Sequence, residues 1–214
     1  MVDYKRQTLI FDPASFSVNV VVVGLGNIGS HTALTLTRLG VQSFILYDHD
    51  KVEPHNLSSQ GYDVNDLSEW KGLALRKKME AMNPQIRVLS QHCKYEGGQL
   101  ISGAPSIFII AVDSMEEREK IYRGMKKSKA SFDLLIDARV GGGQLEIYSC
   151  TTLDIWNKTF VSSPAPDPCG GRFICYTSVA TAALITNQVK RFLKGESIQE
   201  MIMFHFDSLE LIKQ

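Results

Sequence analysis

The sequence predicts an α/β fold, a doubly wound and mostly parallel sheet whose strands turn antiparallel toward the C-terminus. Three observations carry this. Short β-branched runs alternate with helical patterns through the first two thirds of the chain. The first run, Asn19-Val-Val-Val-Val23, passes directly into Gly24-Leu-Gly-Asn-Ile-Gly29, a strand–turn–helix junction. After Gly141-Gly-Gly143 the pattern changes to the alternation Gln144-Leu-Glu-Ile-Tyr148, which suits an antiparallel strand with one wet face.

Each element follows from local chemistry. Asn19–Val23 is a short run of β-branched valines after Asn19, as a strand buried on both faces requires. A periodic helix runs to about Leu39 and closes at Gly40. Phe44–Tyr47 reads as the second strand, and the helical pattern from about Ser68 to Met82 stops at Asn83-Pro84. Further strands are expected at Ile86–Leu89, Ile107–Val112 and Leu134–Ala138, with a charged helix at about Ser114–Ser128. Ser163–Gly171 is the most loop-like stretch, a long helix spans about Thr177–Leu193, and Met201–Phe206 closes the set. With no internal repeat or linker, one domain is expected over 1–214. It would carry an N-terminal arm at 1–17, able to swap across a dimer, and a crossover-type loop at 161–175.

Composition narrows the function. The 214 residues are 44% hydrophobic and 21% charged, enough for a well-buried core. Basic and acidic residues number 23 each, so there is no global charge to attract nucleic acid or an anionic membrane. The one dense basic run, Lys126, Lys127 and Lys129, reads as a solvated helix end. No stretch approaches the ~20 apolar residues of a membrane span, and the N-terminus lacks the layout of a secretion signal. Cys93, Cys150, Cys169 and Cys175 form no CxxC pair. No zinc is predicted, and reduced thiols in the cytoplasm are expected.

Gly24, Gly26 and Gly29 fit GxGxxG between strand and helix, with Asn27 inside the turn. The first glycine permits the tight turn, the second lets a pyrophosphate approach the backbone, and the third allows close helix packing. The helix N-terminus then offers free N–H groups to an anion. Asp48 ends the second strand ~20 residues on, where a carboxylate holds a ribose hydroxyl. The fold is therefore expected to be Rossmann-like and to bind a nucleotide.

The polar residues beyond Asp48 exceed the needs of hydride transfer. Asp50, Asn56 and Gln60 crowd one loop, Lys71 stands near a helix start, and Asp113 ends the strand IFIIAVD. These strand ends face the crevice in which such sheets bind ligands. A lysine and an aspartate beside a triphosphate suggest charge neutralisation and a magnesium site, the needs of phosphoryl or nucleotidyl transfer. Lys71 opposes the dipole of its own helix, which favours a ligand contact over a surface role. Asp113 could also cap the following helix.

Five pieces taken together resemble the ThiF/MoeB family of ubiquitin-activating-like adenylyltransferases: YKRQ, VVVGLGNIGS, DHDKVEPHNLSSQ, Lys71 in DLSEWKGLA, and AVDSMEER, all within residues 4–118. The helix with ATAALITNQVKRFL resembles the family's final helix more loosely. The resemblance implies ATP at the glycine turn with Asp48 at its ribose. Asn56 and Lys71 would contact phosphates, and Asp113 would hold Mg²⁺. The family activates the C-terminal carboxylate of a small ubiquitin-like protein, usually ending Gly-Gly, as an acyl-adenylate with release of pyrophosphate. Arg6 resembles an arginine that reaches into the neighbouring subunit, which implies a homodimer. The family's loop usually reads Asn-Leu-x-Arg-Gln, whereas this chain has Ser59 in place of the arginine. Arg6 or Arg139 would then have to supply the charge.

Members of this broad family that pass the acyl group onward use a thiolate. Cys169, in the loop SPAPDPCGGR, and Cys175, which precedes the long helix and whose thiolate that helix's N-terminal field favours, are the candidates. Cys93 and Cys150, in or beside strands, are assigned to packing, and His31 and His55 to polar structural roles. The shortness of the chain suggests a minimal, bacterial- or phage-like activator. Two rival readings remain at this point: an NAD(P)-dependent oxidoreductase using the same turn, and a catalytically weak family member acting as a scaffold.

Overall fold

The computed structural model describes residues 2–98, 106–160 and 174–214. Among them, eight strands form one sheet in the order β3-β2-β1-β4-β5-β6-β7-β8. The strands are β1 (Asn19–Val23), β2 (Ser43–Tyr47), β3 (Arg87–Gln91), β4 (Ser106–Ile110), β5 (Leu134–Gly141), β6 (Gln144–Cys150), β7 (Met201–His205) and β8 (Glu210–Lys213). Pairing is parallel from β3 through β5 and antiparallel from β5 through β8. The helices are α1 (Asn27–Leu39), α2 (Lys71–Met82), α3 (Met115–Ser128), α4 (Leu153–Lys158) and α5 (Cys175–Leu193). The Rossmann-like α/β architecture expected from the sequence is the one observed.

The alternation of β1 divides the core in two. Val20 and Val22 point into a cluster with Leu36 of α1, Leu75 of α2 and Ile185 of α5. Val21 and Val23 point into a second cluster with Ile121 of α3 and Trp156 of α4. A strand sandwiched between two helix layers has no solvated face, which is why its sequence is an unbroken run of valines. Gly40 ends α1 in the left-handed conformation at φ 105° and donates its N–H to Leu36 and Thr37 carbonyls.

One sequence expectation fails here. β6 has no wet face: every residue from Leu145 to Cys150 is buried. The alternation is real, but α4 packs on one face and α5 on the other. The polar residue of the alternation, Glu146, is buried with hydrogen bonds from the Tyr148 hydroxyl at 3.0 Å and Gln144 Nε2 at 2.8 Å. β8 and α4 are elements the sequence pattern does not announce. The loop-like Ser163–Gly171 stretch lies outside the described residues.

Candidate functional site

β1 has β2 on one side and β4 on the other, and chain connectivity reverses between β1 and β4. At such a switch point the loops leaving adjacent strands part and open a crevice. A cavity of about 600 Å³ lies there, lined by the carboxyl ends of β1, β2, β4 and β5, the 55–60 loop, Lys71 and the start of α3.

The glycine turn is built from close contacts. Gly24 has φ +85°, and a Cβ there would lie 2.6 Å from the Ala111 carbonyl oxygen of the neighbouring strand connection. At Gly29 a Cβ would lie 1.9 Å from the Gly24 carbonyl oxygen. The turn therefore folds tightly against its own helix. Gly26 is the N-cap of α1 and supplies no side-chain hydrogen bond. Gly26, Asn27 and Ile28 face the cavity, so an uncapped helix N-terminus opens onto it.

Asp48 locks this turn to β2. Its Oδ2 accepts from the Leu25 N–H at 2.7 Å, and its Oδ1 accepts from the Asp50 N–H at 2.8 Å. Asn56 is buried and its Oδ1 accepts from the Glu53 N–H at 2.9 Å, fixing the short 3₁₀ turn Pro54–Asn56. Ser59 donates to Asn27 Oδ1 at 2.8 Å, and its carbonyl accepts from His31 Nε2 at 3.0 Å, which ties the loop to α1. Burial depresses the His31 pKa, with the Ser59 contact opposing. Gln60 lines the cavity with its Oε1 buried and without a hydrogen-bond partner among the described residues.

Lys71 is the first residue of α2 and is buried, with Nζ 3.0 Å from Asp50 Oδ2. Asp113 lines the cavity, is exposed, and makes no hydrogen bond or ion pair among the described residues. It is not the cap of α3: Ser114 Oγ accepts from the Glu117 N–H at 3.2 Å. The carboxylate of Asp113 is thus left to the cavity. Across the mouth, Lys94 and Glu117 approach to 3.3 Å.

Behind the far wall lies a fully buried charge network. Asp137 accepts from Arg118 Nε at 2.8 Å, Arg139 Nη2 at 2.7 Å and Trp156 Nε1 at 3.0 Å. Arg118 also donates to the Ser114 and Ala138 carbonyls, and Arg139 to the Thr159 carbonyl. Burial alone would raise the Asp137 pKa, but the two guanidiniums outweigh it and hold the carboxyl below its ordinary value. Arg118 therefore anchors the segment that carries Asp113. Sequence alone gives Arg118, the last residue of AVDSMEER, no role. Arg139 reaches the cavity wall with its charge already shared with Asp137.

The model of the ThiF family matches residues 5–154. The chain belongs to the ThiF family. The ThiF-family match takes in every cavity residue named above. Among relatives, the chain is 30% identical to ubiquitin-like modifier-activating enzyme 5 of Dictyostelium discoideum over 119 residues, 49% of this chain and 31% of that protein. It is 32% identical to the enzyme of the same name from Culex quinquefasciatus over 117 residues, 48% of this chain and 30% of that one. Less than a third of either relative is therefore spanned. Of solved structures, E. coli MccB with ATP superposes at a TM-score of 0.70 and 19% identity, over 92% of this chain and 63% of that one. PaaA superposes at 0.68 and 17% identity with the same coverage. At these identities the two structures speak to the fold.

Of the residues singled out from sequence, the cavity brings together Gly24, Gly26, Asn27, Asp48, Asp50, Asn56, Gln60, Lys71 and Asp113. Gly29 lies beneath, packed on Gly24. Arg6 is exposed in the arm and does not line its own chain's cavity. Cys175 is the exposed first residue of α5 and is also outside the cavity lining. Cys169 lies outside the described residues. Cys93 departs from the packing role expected of it: it is exposed and lines the cavity, because β3 ends two residues earlier and releases it from the sheet. Cys150 is buried as expected, and burial pushes its thiol up to about 12.

Proposed function

We propose that the cavity binds ATP and that the chain adenylates the C-terminal carboxylate of a small ubiquitin-like protein or peptide ending in glycine. The observation that carries this is the uncapped α1 N-terminus opening onto the same cavity as Lys71 and the unpartnered Asp113. An anion-binding helix end, a buried ammonium and a free carboxylate suit a triphosphate with a divalent cation. Hydride transfer would leave the last two without work. The names of the relatives, which refer to activation of ubiquitin-like modifiers, support the same class of substrate.

In this reading the incoming carboxylate oxygen attacks the α-phosphorus, the bond to the β-phosphate bridging oxygen breaks, and pyrophosphate leaves. The backbone N–H groups of α1 and the Asn56 amide contact the phosphates, Lys71 offsets their charge, and Asp48 and Asp50 face the ribose side. Catalysis is then chiefly alignment of two mutually repelling anions and neutralisation of charge as it develops. Asp113 is a hard oxygen donor with no competing partner, which fits Mg²⁺. That ion would lower the negative charge met by the nucleophile. Arg6 would act from a partner subunit in a homodimer. Cys175 or Cys169 would receive the acyl group if the reaction continues to a thioester. The free thiols of Cys93, Cys150 and Cys175 suit a reducing, cytoplasmic setting.

Isotope exchange between pyrophosphate and ATP, with a glycine-ending partner supplied, tests the reading directly. Partner-dependent exchange is expected. NADH binding with no exchange would reverse the assignment.

A further inference from the structure

Leu25, between the first two glycines of the turn, is held by two side chains from elsewhere in the chain. Its N–H donates to Asp48 Oδ2 at 2.7 Å, and its carbonyl accepts from the Tyr62 hydroxyl at 2.8 Å. Tyr62 follows the 55–60 loop, is only 6% exposed, and packs in the core cluster with Val22, Leu25 and Leu75. It is not among the residues lining the cavity, so its hydroxyl meets the turn from the core side. The Lys71 carbonyl, 3.5 Å from the same hydroxyl, is the weaker acceptor for its one proton.

A trans peptide unit is planar, with its C=O and N–H pointing in opposite directions. The Leu25 carbonyl and the Gly26 N–H belong to one such unit. Fixing that carbonyl on the core side turns the Gly26 N–H toward the cavity, which Gly26 lines. The same N–H makes no hydrogen bond among the described residues. There is open space at this point, since a Cβ on Gly26 would have only Gln60 Nε2 within 4 Å among the described residues, at 3.9 Å. Glycine tolerates either orientation of the peptide before it, so the turn sequence alone does not choose between them. Turned over, the unit would present a carbonyl oxygen to an incoming anion in place of an N–H. Burial raises the Tyr62 pKa, and the charges of Asp48, Asp66 and Asp50 add to the rise, so the phenol stays protonated and able to donate.

Resting on the nucleotide reading above, we propose that Tyr62 is a positioning residue for the phosphates, its hydroxyl setting the Leu25–Gly26 peptide plane so that the Gly26 N–H points at a bound phosphate. Tyr62 itself touches no ligand. It acts by removing the orientation in which the turn would repel an anion. Asp48 fixes the peptide unit before Leu25 and Tyr62 the one after it, so neither is left to rotate. A nucleoside without phosphates gains nothing from this arrangement.

The test compares binding of ATP and of adenosine to the wild-type chain and to Tyr62→Phe, each read by displacement of a fluorescent ATP analogue. The substitution removes one oxygen and keeps the ring. It should weaken ATP binding about 3–10-fold, the range of one lost neutral hydrogen bond, and leave adenosine binding unchanged. Unchanged ATP affinity would overturn the inference. So would an equal loss for both ligands, which is what a general loosening of the fold produces. Should the variant not fold, amide exchange in the wild type decides: saturating ATP should slow exchange of the Gly26 N–H, and an unchanged rate would overturn the inference. Failure of the wild type to bind either ATP or adenosine would overturn the nucleotide reading and this inference together.

Discussion

Lys71 Nζ lies 3.0 Å from Asp50 Oδ2, and the two differ sharply in setting: the lysine side chain is 8% exposed and the aspartate 49%. The ammonium is thus held at the cavity edge by a carboxylate that water also reaches. A triphosphate entering the cavity offers a stronger anion to the same ammonium. Lys71→Ala is expected to lower pyrophosphate–ATP exchange by about 100-fold or more. The half-solvated ion pair itself contributes little to folding, at most about 1 kcal/mol. Exchange kinetics with urea unfolding separate the two effects, and a large loss of stability with near-normal exchange would contradict this assignment of Lys71.

Asp137 has the opposite character, because it and its partners Arg118, Arg139 and Trp156 are fully buried. Asp137→Asn would leave Arg118 and Arg139 buried without a countercharge and is expected to destabilise the fold by about 3–5 kcal/mol. The carboxyl's pKa is lower in the folded chain than in the unfolded one. Its contribution is therefore fully present above the unfolded value of about 3.9 and is lost as pH falls through the lower folded value. Denaturant titrations of wild type and variant should differ by a constant amount at neutral pH and converge only in strong acid.

Gly29 and Gly98 make a matched pair for testing the turn. A methyl group at Gly29 would meet the Gly24 carbonyl oxygen at 1.9 Å, whereas one at Gly98 meets nothing within 4 Å among the described residues. Gly29→Ala should cost about 1–3 kcal/mol or more and abolish ATP binding. Gly98→Ala should stay within about 0.5 kcal/mol and bind normally. Equal behaviour of the two variants would count against the packing described for α1.

Cys93 reports cavity occupancy. It is exposed and sits among the lining residues. ATP at ten times its dissociation constant should slow alkylation of Cys93 about tenfold. Peptide-level mass spectrometry distinguishes it from Cys175, whose labelling should be unaffected because that residue is off the lining. Equal labelling of Cys93 with and without ATP would place the nucleotide elsewhere.

The features legible in the sequence are local ones. The valine run of β1, the three glycines and Asp48 lie within 30 residues, and their spacing encodes the turn directly. The order of α/β elements comes from periodicity for the same reason. The Asp137 network is invisible in sequence because its partners are 19 and 2 residues away, and Arg118 sits in a helix of charged residues that reads as solvated. The double burial of β6 depends on α4, too short at six residues to show in the pattern, and on α5, which lies further along the chain. Cys93 escapes because the residue that leaves a sheet cannot be told by pattern from the last one inside it. β8 is four exposed residues, too short to leave a periodic signature.

The two backbone bonds made by Asp48 carry an evolutionary consequence. That carboxylate is the pin of a hinge as well as a ligand-facing group, since its oxygens already grip Leu25 and Asp50. Swapping it to court a different cofactor would slacken the loop before any new preference could register. Altered nucleotide choice in such a scaffold would therefore have to begin at other points of the rim, with position 48 changing last.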